Sequence, residues 1–235
     1  MNKFLNYLFI TAFALSAVFT SCKKDDDKNG NGNGNGTSEV QLVKTITYYG
    51  YSIDFEYDDQ NRIATSSYYM NGTLDGMATF VYNGDDLVKY VTGISVFDFS
   101  RNGNKITYTV TVEQEVVRSA TIELNSDGYP IIHDGHPYQY QDGNLTTRYD
   151  GYSNMIFEYD NKKSPFYDCK TPKWFLVCVP FFEGYITPIK NNMTKITETR
   201  GETTTEYECT YEYNGAGFAT KMYMDDKEHA KFTYK

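Results

Sequence analysis

Little in this 235-residue chain suits metal or redox chemistry: it has four cysteines, three histidines and a single tryptophan. No two cysteines lie at C-x-x-C spacing, which excludes the usual framework of a structural zinc site. Beyond Cys22 near the start, only Cys169, Cys178 and Cys209 remain, an odd number that gives no disulfide framework. Either Cys169 pairs with Cys178 in an oxidising compartment, or all three pack as small apolar thiols. His133-Asp134-Gly135-His136 gathers two imidazoles and a carboxylate, but Gly135 and Pro137 make it a turn and no third ligand is at hand. His229 stands alone in "DDKEHAK", which reads as a solvated turn. There is no G-x-S-x-G, no cysteine with a nearby histidine, and "NGNGNG" precedes no helix that could cradle a phosphate. No metal, no cofactor and no enzymatic activity is therefore expected. Positive charge is also short, with 22 basic against 31 acidic side chains and a net charge of −9. That balance argues against nucleic acid as a partner and against direct binding to anionic headgroups.

The first residues present a different picture. "MNKFLNYLFITAFALSAVFTSC" has one early cation, Lys3, an apolar core from Phe4 to Phe19, and small or hydroxyl residues before Cys22. This reads as a secretion signal over residues 1–21, too short and too closely followed by a cut site to be a spanning helix. Phe19-Thr20-Ser21-Cys22 resembles the lipobox of bacterial lipoproteins, with Phe19 where that box usually has leucine. The resemblance implies that Cys22 is the lipidation site and that acyl chains hold the protein to a membrane. Each buried methylene adds about 0.8 kcal/mol to such an anchor. Residues 22–38 follow as an acidic, Asn-Gly tether that cannot bury apolar surface. Asp25-Asp26-Asp27 is similar to the surface-export signals of some outer-membrane lipoproteins, and reads equally as a solvated charge run.

Residues 39–235 suit one domain, and its class follows from a repeat. The unit is apolar, any residue, aromatic or apolar, then a turn: "FEYDDQN" from Phe55, "FVYNGDD" from Phe80, "YQYQDGN" from Tyr138, "FEYDNKK" from Phe157, "YEYNGAG" from Tyr211. Looser copies stand at Phe97-Asp98-Phe99 and Ile122-Glu123-Leu124, and the chain ends on Phe232-Thr233-Tyr234-Lys235. Asn, Asp and Gly tolerate the positive φ that tight hairpin turns demand. Between the turns runs strict alternation: Ile53, Phe55 and Tyr57 on one face, Asp54, Glu56 and Asp58 on the other. The repeated acids are thus turn formers and outward strand residues, not seven copies of a catalytic loop. The fold class is all-β, an antiparallel meander of about 12–16 short strands forming a curved sheet, half-barrel or barrel.

Such a sheet must cover its apolar face. Ser164 to Asn192 interrupts the meander with Trp174 and four of the six prolines, and its run Trp174–Phe182 is apolar all round. A short helix or irregular lid over about 164–192, packed on the aromatic face, is expected, with Pro180 stopping any long helix. A membrane-spanning barrel is not: the strands are short and their second face carries Glu, Asp, Thr and Lys.

The lipobox, the Asp-rich tether, the "FEYDDQNRI" and "FEYDNKKSPF" hairpins and "KNNMTKIT" at Lys190–Thr197 together resemble a family of bacterial outer-membrane lipoproteins. That family is a domain of unknown function described with a porin-like fold. The resemblance implies a curved antiparallel sheet and carries no catalytic residues. The expectation is a lipid-anchored outer-membrane protein, periplasmic-facing or surface-exposed, whose β-domain binds or scaffolds a polysaccharide or an envelope protein. Tyrosines near turns, namely Tyr48-Tyr49, Tyr68-Tyr69, Tyr149 and Tyr152, are candidates to meet a sugar, although no ligand-binding residue is assigned. The alternatives are a carrier of a hydrophobic ligand, lipid or lipoprotein, in a half-barrel under the apolar lid, and a hydrolase.

Overall fold

The computed structural model describes residues 39–179 and 188–235. The leader, Cys22, the tether and the stretch 180–187, with Pro180 and Phe182, lie outside the described residues.

Sixteen strands form one closed antiparallel barrel, each paired with its neighbours in sequence. The first four hairpins are β1 (Val43–Tyr48) with β2 (Tyr51–Tyr57), β3 (Ile63–Met70) with β4 (Thr73–Asn83), β5 (Asp86–Thr92) with β6 (Ser95–Asn102), and β7 (Lys105–Val112) with β8 (Glu115–Leu124). The second four are β9 (Pro130–His133) with β10 (His136–Gln141), β11 (Asn144–Tyr149) with β12 (Asn154–Lys163), β13 (Asn191–Arg200) with β14 (Thr203–Tyr213), and β15 (Ala219–Met224) with β16 (Lys227–Tyr234). Closure comes from β16 meeting β1, with Ile46 opposite Phe232 and Lys235 N–H donating to the Leu42 carbonyl. The strand count stands at the top of the expected range, and closure leaves no edge strand to protect.

Alternation decides which side is which. Phe232, Ile46, Ile53 and Tyr68 form one row across four strands and face the lumen. Outside, opposite charges meet across strands, as in Lys89–Asp98 at 2.7 Å and Lys195–Glu206 at 2.8 Å. Exposed pairs of this kind contribute little stability, but they mark the wall as a water-facing surface.

The meander sorts the turns into two ends. The turns inside each hairpin gather at one end, here the turn end, and several are two-residue turns with both φ positive. Asp134 (φ 53°) and Gly135 (φ 83°) are such a pair, as are Asp225 and Asp226. At the opposite, insertion end lie the inter-hairpin turns, the β1–β16 chain ends and the interruption between β12 and β13.

That insertion end explains the repeated motif. In six of the pairings between successive hairpins the register shifts immediately before the third residue of the unit: Glu56/Tyr57, Val81/Tyr82, Glu123/Leu124, Gln139/Tyr140, Glu158/Tyr159 and Glu212/Tyr213. The extra residue lies on the strand that follows, Ala64 opposite Tyr57 and Thr194 opposite Tyr159, where the bulge raises twist and re-aims that strand's later side chains. The tyrosine keeps its own strand's alternation and clasps the strand before it. Tyr57 donates to the Val43 carbonyl at 2.8 Å, Tyr82 to Ile63 at 2.9 Å, Tyr159 to Leu145 at 2.7 Å, and Tyr234 to Ala219. In β14 the clasp is made by Tyr211, to Met193 at 2.8 Å. The residue that follows builds the turn: Asp58 Oδ1 accepts from the amides of Gln60 and Arg62, Asn125 Oδ1 from Asp127 and Tyr129, Asn214 Oδ1 from Ala216 and Phe218. The acids of the repeat are structural, as expected.

Inside the barrel sits the described part of the insertion. Its one described helix, α1 (Lys173–Cys178), is a turn and a half with no side-chain cap, and Val179 beyond it is extended, as suits a residue before proline. So short a helix owes its stability to packing rather than to propensity. Phe175 lies 5.2 Å from the ring of Phe80 and 5.1 Å from that of Tyr90, and Trp174 lies 5.0 Å from Phe99. Polar bonds hold its approach in place: Ile63 N–H donates to Thr171 Oγ1 at 2.8 Å, and Gln41 N–H to Asp168 Oδ2 at 2.9 Å. The expected covering of the aromatic face by a short helical insertion is observed.

Candidate functional site

Helix α1 fills only the side of the lumen walled by β4 to β10. On the other side a cavity of about 310 Å³ is bounded by β11 to β16, β1 and the insertion residues Pro165, Phe166 and Pro188. Its surface is mostly apolar, and four methionines, Met155, Met193, Met222 and Met224, line it. Methionine adapts its shape to irregular guests better than branched residues do.

Polar groups stand in two places. Toward the turn end are Arg148, Glu198, Arg200 and His229. Arg200 is matched by Glu198, with Nε at 2.8 Å and Nη2 at 2.7 Å from the same oxygen. His229 is buried, and its Nδ1 meets the hydroxyl of Tyr49 at 3.1 Å. Arg148 is different. Cross-strand pairing puts it between Tyr138 and Met155, both lumen residues. Its nearest carboxylate, Asp150, is 3.9 Å away and already accepts from the Ser153 hydroxyl and the amides of Tyr152 and Ser153. Among the described residues the buried Nε of Arg148 has no partner.

Toward the insertion end the cavity meets Asn192, which is fully buried. Its amide nitrogen donates to Asp160 Oδ2 at 3.2 Å and to the Lys163 carbonyl at 3.2 Å, fixing which way the group points. Asn192 Oδ1 is left without a partner among the described residues. Arg148 and Asn192 thus line the cavity toward opposite ends, each keeping one covered polar atom without a partner among the described residues, with apolar wall between.

A second, more open cleft of about 470 Å³ lies at the turn end among Tyr48, Tyr51, Tyr68, Tyr69, Asp75 and Ile94. Of the turn tyrosines expected to reach solvent, Tyr49 and Tyr152 are 66% and 88% exposed, whereas Tyr48 is buried.

The two histidines of the 133–136 turn go to different surroundings. His133 turns into the wall, where Tyr108 Oη lies 2.9 Å from Nε2 and Tyr138 Oη 3.4 Å from Nδ1. His136 instead packs edge-on against Tyr149 at 5.5 Å. Among the described residues no three His, Cys, Asp or Glu groups converge. Burial, then the Arg118 charge, depresses His133 to about 4. Cys169, Cys178 and Cys209 are all free, so no disulfide joins Cys169 to Cys178. Burial pushes the thiol of Cys209 up to about 11 and that of Cys178 higher still, which makes both inert packing groups.

His229 is a correction: it is a buried β16 residue, not part of a solvated turn. Arg148 and Asn192 were not singled out from sequence. Alternation counted from Leu145 puts Arg148 outside, but Thr146 is an extra residue against β10, and the bulge turns Arg148 inward.

No family model and no curated protein sequence matches the chain. Among solved structures it is similar to a porin-like protein from Bacteroides uniformis, at 12% identity and TM-score 0.42, over 83% of this chain and 95% of that one. It is also similar to a porin-like protein from Bacteroides vulgatus, at 9% identity and TM-score 0.36, over 83% and 99% of the two chains.

Proposed function

We propose that the protein is a lipid-anchored envelope protein, attached to the outer membrane through Cys22, whose barrel binds a small apolar ligand without chemically changing it. The observation that carries this reading is the half-filled lumen. A scaffold needs only a filled interior, yet beside α1 the barrel keeps about 310 Å³ of largely apolar space. That lies at the low end of the roughly 300–1,000 Å³ of small-molecule pockets. Of the alternatives open from sequence, the carrier of a hydrophobic ligand is thus favoured over scaffolding.

The test uses the mature chain with Cys22→Ser, so that no acyl chain or detergent competes. N-phenyl-1-naphthylamine, which brightens in apolar surroundings, should bind saturably. Ala230→Phe or Met222→Trp, which put bulk into the cavity, should weaken binding about tenfold or more with the thermal transition retained. Dye binding that persists in both folded variants would refute the reading. The same protein screened against glycans examines a second reading, sugar binding, for which the open cleft with Tyr51, Tyr69 and Asp75 is the supporting observation.

A further inference from the structure

The geometry points to a carboxylic acid on an apolar chain as the occupant of the lumen, its head group held by Arg148. This inference rests on the cavity being a ligand site and adds the ligand's chemistry. Three basic side chains line the cavity near the turn end, and two of them are matched: Arg200 by Glu198 at 2.7 Å, and His229 by Tyr49 at 3.1 Å. Arg148 has only a long ion pair to Asp150, and its Nε has no partner among the described residues. It stands in a lumen row between Tyr138 and Met155, with its guanidinium carbon 5.8 Å from the Tyr138 ring centre. Asp150, at 3.9 Å, is too far for a hydrogen bond, and its oxygens are already engaged by Ser153 and Tyr152.

A guanidinium beside apolar wall with its Nε unmatched is an unfavourable arrangement unless an anion completes it. Nε itself is covered, but the side chain keeps 23% of its surface accessible, and the edge formed by the two terminal nitrogens fits the two oxygens of a carboxylate, a geometry that an ammonium cannot offer. Glu198 lies in the same cross-strand row, one strand beyond Met155. Its charge is balanced by Arg200, but it would still repel a doubly charged head, so a carboxylate is favoured over a phosphate monoester. Size follows from the other orphan. Asn192 adjoins Met193, which pairs with Tyr159, whereas Arg148 pairs with Met155. The two polar atoms thus belong to rows about 16 Å apart along β12 at the usual rise per residue. The apolar wall between them suits an extended acyl chain of medium length.

The mature Cys22→Ser chain, loaded with N-phenyl-1-naphthylamine, should be titrated at neutral pH with decanoic acid, decanol and decyl phosphate. The acid should displace the dye at a concentration at least tenfold lower than decanol does, and lower than decyl phosphate. In Arg148→Gln the preference for acid over alcohol should disappear, each displacement being read against that variant's own dye affinity. Arg148→Lys, which keeps the charge but not the fork, should retain part of the preference and serves if Arg148→Gln does not fold. Equal displacement by acid and alcohol in the parent chain, or an undiminished acid preference in folded Arg148→Gln, overturns the assignment while leaving the cavity reading intact. Stronger displacement by decyl phosphate overturns the head-group class. A parent chain that binds no dye defeats both the cavity reading and the inference.

Discussion

His133 shows how a single side chain couples the barrel wall to pH. It is held neutral between the hydroxyls of Tyr108 and Tyr138, with its pKa lowered from 6.5 to about 4. Loss of hydration is the main cause; the charges of Arg118, Arg148 and His136 add to it, and Asp134 opposes them. The sign follows from which state binds the proton first. As pH falls below 6.5 the unfolded chain protonates this ring and the folded chain does not, until about 4. Stability is therefore complete above that window and declines within it, by at most about 3 kcal/mol. Asp58 and Asp150 act lower. Burial raises both, but Arg62 and its neighbours outweigh it at Asp58, and the Ser153 and Tyr152 amides outweigh it at Asp150. Both end below 3.8, so their contribution is lost only as pH falls beneath that value. Urea unfolding at about pH 7 and about pH 4.5 should show the loss, and His133→Gln should flatten it. An equal slope in the folded variant would assign the effect elsewhere.

At the scale of the hairpin, the repeated tyrosine is a clasp, and the chain contains its own control. Tyr159 donates to the Leu145 carbonyl at 2.7 Å, whereas the hydroxyl of Tyr140, at the same place in its own unit, is buried with no partner among the described residues. Removing the first leaves a buried carbonyl unpaired, so Tyr159→Phe should cost about 1–2 kcal/mol of unfolding free energy. Tyr140→Phe removes an orphan hydroxyl and should be neutral or slightly stabilising. Chemical denaturation of both variants decides it, and equal losses would show that the clasp has no role. Much of this element was legible from sequence, because a period-two pattern and Asn, Asp or Gly turns leave few other structures open. The bulges were not. One extra residue per strand is invisible in composition yet reverses every later side chain, which is how Arg148 reaches the lumen and why the cavity's polar end escaped the sequence. Asn192 was hidden for another reason: its burial depends on Asp160 and Lys163, about thirty positions away in the chain.

The whole molecule inverts the logic of a membrane-spanning barrel. Such barrels present an apolar band to lipid and keep a polar interior. Here rings and aliphatic side chains line most of the inside, while Lys89–Asp98, Lys195–Glu206 and Lys221–Glu212 cross the outer wall. The most exposed large apolar side chains, Tyr152, Tyr49, Val116 and Val117, sit at or next to turns of one end rather than in a belt around the wall. A wall of this kind offers hydrocarbon no continuous apolar band, so the proposed attachment to a bilayer would have to come from the chain ahead of β1. The apolar stretch over residues 1–21 reads as a cleaved signal, so in the proposed function the anchor is acyl chains on Cys22. Cys22→Ala in the full chain should therefore move the protein from the membrane pellet to the soluble fraction, with the melting transition of the barrel unchanged. High-salt washing should not release the parent protein, because acyl insertion is not screened as surface electrostatics are. Continued sedimentation of folded Cys22→Ala with membranes would show that the wall, or a partner bound to it, makes the attachment instead.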